Sequence, residues 1–213
     1  MARPASASPE SALPAMSGPV AELKAALRRR LRDAAKNIPP AERAAASAQL
    51  RLNLEAQELW RTARSVLFYV PMADEPDILP LVAGAVSAGK IVMFPGYVSS
   101  DNHYVARQVR NVATDLQPGQ FGIPEPSAAC PLFDLKQLDF TLVPGLGFSF
   151  NGCRLGRGRG YYDRLLAQVS GVKCGAAFDW QVVADIPMEA HDIRLDCIVT
   201  PTRWHPAPSQ ART

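Results

Sequence analysis

Residues 65–71 read Ser-Val-Leu-Phe-Tyr-Val-Pro, a short apolar run that a proline closes. Further apolar runs of this kind follow, separated by helical or loop sequence, which is the pattern of parallel strands covered by helices. The predicted strands are Ser65–Val70, Lys90–Phe94, Phe140–Val143, Val172–Phe178 and Leu195–Thr200, with His103–Val109 as an additional edge strand. The sequence therefore predicts an α/β fold, a single-domain, open, mostly parallel sheet flanked by helices.

Prolines mark the ends of these predicted strands. They stand in Val70-Pro71, Phe94-Pro95, Val143-Pro144 and Thr200-Pro201. Because proline has no N–H to donate to the ladder, each is expected to halt its strand and turn the chain outward. Open α/β sheets bind ligands just beyond the carboxyl ends of their strands, so we expect one shared crevice at this edge.

The N-terminal part of the chain has the pattern of two helices. Apolar residues recur at helical spacing at Val20, Leu23, Leu27 and Leu31, and basic residues lie on the opposite face at Lys24, Arg28 and Arg32. Two prolines end this helix, and Ala41–Trp60 has the composition of a second one. The two are expected to pack as an N-terminal helical hairpin. Later helices are predicted over Ile78–Ala88 and Tyr161–Gln168, and Asp115–Pro131, crowded with Pro and Gly, is predicted to be an ordered loop over a surface or site.

The chain has 213 residues, 47% of them hydrophobic, which is enough for one sizeable core. We divide it into a disordered leader (1–17), an α/β domain (18–204) and a flexible C-terminal tail (205–213). Prolines interrupt the long apolar stretches, so no membrane helix is predicted. The four cysteines form no C-x-x-C pair, as expected for reduced thiols in a cytoplasmic protein. A cytoplasmic monomer that binds no membrane is the expectation.

The most unusual segment is Arg154-Leu155-Gly156-Arg157-Gly158-Arg159-Gly160-Tyr161-Tyr162-Asp163-Arg164. Its glycines alternate with arginines, and it carries the whole net charge of +3 as four arginines against one aspartate. Alternating glycines let backbone N–H groups converge on an anion, and guanidinium forks bind phosphate or carboxylate oxygens. The spacing is neither that of a Walker loop nor that of a dinucleotide fold. A flexible turn with solvated arginines and an RGG-like nucleic-acid contact are the alternatives, but the position between a strand and a helix favours a phosphate site.

Acidic and basic residues elsewhere are candidates for the same edge. Asp163 and Asp192 are candidate Mg²⁺ ligands, because Mg²⁺ prefers one or two carboxylates together with phosphate oxygens. For each of them, a helix cap or a salt bridge is an equally good interpretation. Glu75 is a candidate acceptor for a substrate donor group or a helix N-terminal acid, and Lys24 with Arg28 either reaches a phosphate tail or forms a solvated face.

In their order along the chain, these segments resemble the 5-formyltetrahydrofolate cyclo-ligase family, also called methenyltetrahydrofolate synthetases. The resemblance runs from about Lys24 to Thr200. It rests on Lys24–Arg28, Tyr69–Met72 with Glu75, Phe121–Pro126, Val143–Phe148, Arg154–Arg164, and His191-Asp192 with Asp196. The R-L-G-x-G-x-G-Y-Y-D block is highly specific to that family, and the other pieces gain weight from their shared order.

The resemblance implies ATP-dependent conversion of 5-formyltetrahydrofolate to 5,10-methenyltetrahydrofolate, with release of ADP and phosphate. ATP and Mg²⁺ are the implied cofactors and 5-formyltetrahydrofolate is the implied small-molecule substrate. The residues implied for ATP are Lys24, Arg28, Arg154, Leu155, Gly156, Arg157, Gly158, Arg159, Gly160, Tyr161 and Tyr162. Those implied for the folate are Val70, Glu75, Arg157, Gly158, Arg159, Gly160 and Tyr161. Arg157, Arg159 and Tyr161 would act in catalysis, and Asp163 and Asp192 would hold the metal.

The chain departs from the family pattern at Ser149, where relatives often have an aspartate. Arg157 and Arg159 replace smaller residues or lysine in some relatives, which keeps or raises the positive charge. A non-catalytic nucleotide or folate binder that shares the fold remains an alternative, and binding without product would distinguish it. A nucleic-acid module would show steep salt dependence, but basic charge is not in excess elsewhere in the chain, so no nucleic-acid partner is expected.

Overall fold

The computed structural model describes residues 19–208. Its helices are α1 (Val20–Lys36), α2 (Pro40–Glu55), α3 (Glu58–Thr62), α4 (Leu81–Ser87), α5 (Val112–Asp115) and α6 (Tyr161–Leu166). Its strands are β1 (Ser65–Leu67), β2 (Ile91–Val98), β3 (His103–Gln108), β4 (Leu116–Pro118), β5 (Pro124–Pro126), β6 (Leu132–Phe133), β7 (Phe140–Val143), β8 (Gly147–Phe148), β9 (Arg154–Leu155), β10 (Val172–Ala176), β11 (Cys197–Val199) and β12 (Trp204–Pro206).

Within the described residues, the main sheet has eight strands in the order β12-β11-β10-β7-β1-β2-β3-β6. Strands β11, β10, β7, β1 and β2 are parallel to one another, and β12, β3 and β6 are antiparallel additions at the edges. The pairs β4-β5 and β8-β9 form two small separate sheets. The predicted open, mostly parallel α/β sheet is confirmed.

The sheet is buried on both faces, and the side chains of its central strands are mainly apolar. Val66 and Phe68 point into one hydrophobic cluster and Leu67 into another, since alternate side chains of a strand face opposite sides. Helices α2, α3 and α4 cover the first face, where Trp60 packs edge-on against Phe68 with the ring centroids 5.9 Å apart. Helix α6 covers the second face. Both faces being covered accounts for the short continuous apolar runs in the sequence.

Helices α1 and α2 follow one another as expected, but their buried side chains belong to different clusters. Leu27 and Leu31 of α1 pack with Leu155 of β9, whereas Leu50 and Leu54 of α2 pack on the main sheet. The predicted packing of the pair as a hairpin is therefore not confirmed. The apolar stripe of α1 is matched by the β8-β9 pair, and this position brings the N-terminal half of α1 to the glycine-rich segment.

Proline does not end every strand. Strand β2 continues through Pro95 to Val98, so the expected halt at Phe94 is wrong. In β2, the Ile91 N–H donates to Arg64 O and the Met93 carbonyl accepts the Phe68 N–H, so these alternate residues face β1. Pro95 is the next residue in this alternation, and its nitrogen therefore also points toward β1. Pairing with β1 ends at Met93, so the missing N–H breaks no ladder bond there.

Other boundaries differ by smaller amounts. The second predicted helix is divided into α2 and α3, and the helix predicted over Ile78–Ala88 begins only after Pro80. The segment predicted as an ordered loop, 115–131, contains the β4-β5 hairpin. Strand β3 is flanked by β6 and is not the edge.

The predicted flexible tail requires a correction at its start. His205 and Pro206 lie in β12 and pair with Ile198 and Cys197 of β11, so the sheet holds them. The predicted leader, 1–17, and residues 209–213 of the tail lie outside the described residues. Among residues 19–208, none of the helices has the length and apolar character needed to cross a bilayer.

Candidate active site

A cavity of about 390 Å³ opens at the carboxyl edge of the sheet. All of the site residues that the sequence predicted line it, from α1, the loop after β1, the glycine-rich segment and the loop before β11: Lys24, Arg28, Val70, Glu75, Arg154, Leu155, Gly156, Arg157, Gly158, Arg159, Gly160, Tyr161, Tyr162, Asp163 and Asp192. The topology thus collects in one place residues that span most of the described chain.

The glycine-rich segment takes its path from glycines at two positions. Gly158 has φ +99° and Gly160 has φ +66°, a region that L side chains rarely adopt. Gly160 is also the residue that precedes α6. Because α6 has six residues, its dipole is small, and the charges that line the cavity belong mainly to side chains.

Arg154 forms a buried ion pair with Asp163 at the base of the cavity. Its Nη2 lies 3.0 Å from Asp163 Oδ1, and the two side chains are 4% and 15% exposed. Its Nη1 donates to Pro144 O at 3.4 Å, and its guanidinium stands 5.6 Å from the centre of the Tyr162 ring. The Nε is buried without a hydrogen-bond partner among the described residues. Of the interpretations that the sequence allowed for Asp163, the structure thus shows the salt bridge.

Arg157 reaches across the cavity to the loop after β1. Its Nη2 donates to Asp74 and, at 3.0 Å, to Glu75 Oε1, while its Nε is 3.3 Å from the same Glu75 oxygen. The other oxygen of Glu75 accepts the Met72 N–H at 3.0 Å. Burial raises the pKa of Glu75, and the charge of Arg157 opposes this rise only in part. The sequence did not single out Asp74.

Lys24 is buried and occupies an acidic cluster. Its Nζ donates to Glu189 Oε2 at 2.8 Å and to Asp192 Oδ2 at 2.5 Å. Burial alone would raise the pKa of Asp192, but hydrogen bonds from the Glu189 N–H and Lys24 outweigh it and hold the pKa below its usual range. Ligand atoms of Glu189, His191 and Asp192 lie within 4.8 Å of one another, a spacing that could hold a metal ion. Asp163 is outside this group, so the two predicted metal ligands lie in separate ion pairs.

Arg28 joins α1 to the glycine-rich segment, because its Nε donates to Gly156 O at 2.9 Å. Tyr161 lies in an aromatic cluster with Tyr97 and Tyr104, and the ring centroids are 5.5 to 5.7 Å apart. Burial raises the pKa of Tyr104 to about 12, so this phenol stays protonated at neutral pH. Arg159 lies near this cluster, where its charge opposes the raised pKa of Tyr104.

The structure adds a wall that the sequence did not assign. Ile123, Pro124 and Glu125 line the cavity from the β4-β5 hairpin. Glu125 is buried and accepts the N–H groups of Tyr97 at 2.8 Å and Gln120 at 3.1 Å. The Pro- and Gly-rich character of 115–131 indicated a loop over a site, but it could not indicate which side chains face inward.

Ser149 lies in the core and outside the lining of the cavity. Its Oγ is buried without a hydrogen-bond partner among the described residues. The departure from the family pattern at this position therefore leaves the cavity wall unchanged.

The charges of the cavity are nearly balanced. Five cations line it, Lys24, Arg28, Arg154, Arg157 and Arg159, and so do five carboxylates, Glu75, Glu125, Asp163, Glu189 and Asp192. Lys24, Arg154 and Arg157 are already in ion pairs. A polyanion that binds these three cations must therefore exchange places with carboxylates of the protein, and a divalent cation that takes over those carboxylates would make the exchange easier.

Comparisons with known proteins agree on one family. A sequence model of the 5-formyltetrahydrofolate cyclo-ligase family matches residues 20–201. The chain is similar to the 5-formyltetrahydrofolate cyclo-ligase of Mycolicibacterium smegmatis, with 30% identity over 194 residues that cover 84% of this chain and 94% of that protein. It is 27% identical to the Mus musculus protein of the same name over 189 residues, or 81% of this chain and 91% of that one.

Solved structures show the same likeness. The 5,10-methenyltetrahydrofolate synthetase of Aquifex aeolicus superposes with a TM-score of 0.79 at 31% identity, over 90% of this chain and 96% of that one. A synthetase from Mycoplasma pneumoniae shares the fold, with a TM-score of 0.68 at 22% identity over 84% of this chain and 98% of that one.

Proposed function

The chain belongs to the 5-formyltetrahydrofolate cyclo-ligase family and is an ATP-dependent ligase that cyclises 5-formyltetrahydrofolate to 5,10-methenyltetrahydrofolate, and we propose how its cavity is divided between the two substrates. In the mechanism that the family resemblance implies, the formyl oxygen takes the γ-phosphoryl group from ATP, and N10 closes the ring as phosphate leaves. Such chemistry requires positioning and charge neutralisation more than a protein nucleophile.

The α1 side of the cavity is the proposed ATP end. Lys24 and Arg28 approach the glycine-rich segment from α1, and Arg28 is fixed to it through Gly156 O. Guanidinium and ammonium groups on two sides of one cleft suit a polyphosphate chain, which accepts hydrogen bonds along its whole length. The backbone of 154–162 would complete this end of the site.

The loop after β1 is the proposed folate end. Val70 and Glu75 line the cavity there, and Glu75 is the acceptor proposed for the N–H groups of the pterin. The apolar surfaces of Ile123 and Pro124 and the ring of Tyr104 face the same space and suit a flat heterocycle. Arg157, Arg159 and Tyr161 lie in the segment between the two ends, where the formyl and phosphoryl groups would meet. We propose that the two arginines stabilise the charge that develops on the transferred phosphoryl group.

Carboxylates, which Mg²⁺ prefers, line the cavity at Asp163 and Asp192, and Asp192 belongs with Glu189 and His191 to a group whose spacing suits a metal ion. We propose that these two residues hold Mg²⁺ with the nucleotide. When bound, the ion would supply positive charge to the phosphoryl group being transferred. Asp192 and Asp163 would then have to share their oxygens between the metal and Lys24 or Arg154.

We also keep three expectations as proposals: a cytoplasmic location, a monomeric state and the absence of a nucleic-acid partner. The modest net charge of +3 supports the last of these, since a nucleic-acid surface needs an excess of accessible cations.

The observation that carries the proposed function is that every predicted ATP, folate and metal residue lines one cavity. An absorbance assay tests it, with purified protein, 5-formyltetrahydrofolate, ATP and Mg²⁺, each omitted in turn. Product that requires all three supports the proposal, and ATP binding without product would instead favour the non-catalytic binder. Arg110, an exposed arginine outside the cavity, offers a matched control: Arg110→Ala should keep the activity that Arg157→Ala loses.

A further inference from the structure

Asp74 lies next to the proposed folate acceptor Glu75 and is joined to it through Arg157. We propose that Asp74 is a positioning residue, which retains Arg157 in the cavity when Arg157 releases Glu75 to the folate. This inference rests on the proposed function, because it takes Glu75 as the acceptor of the pterin N–H groups.

Without a ligand, both oxygens of Glu75 already accept hydrogen bonds. Its Oε2 accepts the Met72 N–H, and its Oε1 accepts both the Nε and the Nη2 of Arg157. The Glu75 side chain is only 5% exposed, so water does not compete freely for these oxygens. For a pterin N–H to bind Oε1, Arg157 must withdraw from it.

The withdrawal would leave a cation without a counterion if Glu75 were the only partner of Arg157. Asp74 prevents this, because the Arg157 Nη2 also donates to Asp74 Oδ1. The side chain of Asp74 is 24% exposed and that of Glu75 is 5% exposed, so Asp74 is the better hydrated of the two partners of Arg157. Arg157 can thus exchange one carboxylate for a ligand while it keeps the other.

The side chain of Gln181 holds the backbone of Asp74 in place. The Gln181 Nε2 donates to Asp74 O at 3.4 Å and to Gly145 O at 3.0 Å, and Gln181 Oε1 accepts the Phe178 N–H at 2.8 Å. Gln181 is buried, so Asp74 stands on a fixed support at the sheet edge. This support separates Asp74 from an ordinary acidic residue on a surface loop.

The test is the dissociation constant of 5-formyltetrahydrofolate, measured by calorimetric titration without ATP. Asp74→Asn should weaken folate binding about tenfold, the low end for loss of a hydrogen bond between charged groups. Asp74→Glu keeps the carboxylate and should recover most of that affinity. In an Arg157→Ala background, Asp74→Asn should change the affinity by less than about twofold, because no guanidinium is left to retain. Asp77→Asn removes a charge from the same loop outside the cavity and serves as the control.

Equal affinity of wild type and Asp74→Asn would overturn the inference, and so would effects of Asp74→Asn and Arg157→Ala that multiply. A loss that Asp74→Glu does not recover would also count against it. The proposed function is tested by a separate result. If wild-type protein binds the folate but yields no product with ATP and Mg²⁺, the ligase activity is refuted. The folate titrations would still decide the role of Asp74. Wild-type protein that binds no folate refutes both.

Discussion

Arg154 and Arg157 belong to the same glycine-rich segment, but the fold uses them differently. Arg154 is held at the base of the cavity with a side chain that is 4% exposed, and its partner Asp163 comes from the same segment. Arg157 has a side chain that is 30% exposed, and its partners come from the distant loop after β1. The first ion pair is local and closed, whereas the second spans the cavity and faces the space where ligands bind.

One glycine-rich segment thus supplies both a buried, permanent ion pair and an ion pair whose cation can change partners. A charge that has lost its water depends on its partner and cannot change partners at low cost. A charge that keeps part of its hydration can move between a carboxylate, a phosphate and water. We therefore assign Arg154 chiefly to the structure of the site and Arg157 chiefly to its chemistry.

The largest effect is expected from Arg154→Ala, which leaves Asp163 as an unpaired carboxylate at the base of the cavity. Removing one partner of a buried ion pair costs about 3–5 kcal/mol of unfolding free energy. Urea unfolding followed by circular dichroism measures this loss. Arg157→Ala in the same experiment is the control, with a smaller expected loss, because the side chains of Arg157 and its partner Asp74 are 30% and 24% exposed and keep part of their hydration. Equal losses for the two variants would remove the distinction between them.

The next effect is on catalysis. Arg157→Ala should lower kcat/KM for the cyclisation by about 100-fold or more, the usual result of removing one electrostatic stabiliser of a transition state. Steady-state kinetics with each substrate varied in turn measures this. Unchanged kinetics in a folded Arg157→Ala protein would assign Arg157 to structure alone.

Sequence reasoning was sufficient where one segment determines its own environment. The runs around Val66 and Phe140 are mainly apolar, with no charged side chain, so burial on both faces and a parallel sheet could be predicted from the residues themselves. The glycines at 158 and 160 likewise indicated a backbone that other residues avoid. Prolines were a weaker guide, because the effect of Pro95 depends on which strand lies beside its nitrogen.

The partners of the cavity charges could not be predicted in this way. Lys24 and Asp192 are 168 positions apart, and Arg157 and Asp74 are 83 apart. Such contacts exist only after the sheet order is established, and many pairings satisfy the same composition. The family resemblance placed Lys24 and Arg157 at an anion site but gave no sign that carboxylates already neutralise them.

A smaller effect is expected from Asp163→Asn, which leaves an acceptor for Arg154 but removes the charge. The Mg²⁺ concentration that gives half-maximal activity should rise several-fold, because a carboxylate binds Mg²⁺ more strongly than an amide does. A magnesium titration at saturating ATP and folate measures the shift. An unchanged titration curve would mean that Asp163 does not bind Mg²⁺ and serves only as the salt-bridge partner of Arg154.

The smallest effect is expected on the pH dependence of folate binding. It depends on the ionisation of Glu75, which is paired with Arg157 and not with Arg154. We take the ionised form of Glu75 as the one that accepts the pterin N–H groups, because protonation would turn one of its oxygens into a hydrogen-bond donor. Burial raises the pKa of Glu75, so folate binding should weaken on acidification at a higher pH than for an exposed glutamate, and Arg157 limits this rise. Removing the cation in Arg157→Ala should raise the pKa further and move the acidic limb of binding upward by roughly one pH unit, the low end for one adjacent opposite charge.

Titrations of 5-formyltetrahydrofolate across a pH series measure the limb, and Glu75→Gln should abolish it. A limb that persists in Glu75→Gln, or that moves downward in Arg157→Ala, would assign the ionisation to another group.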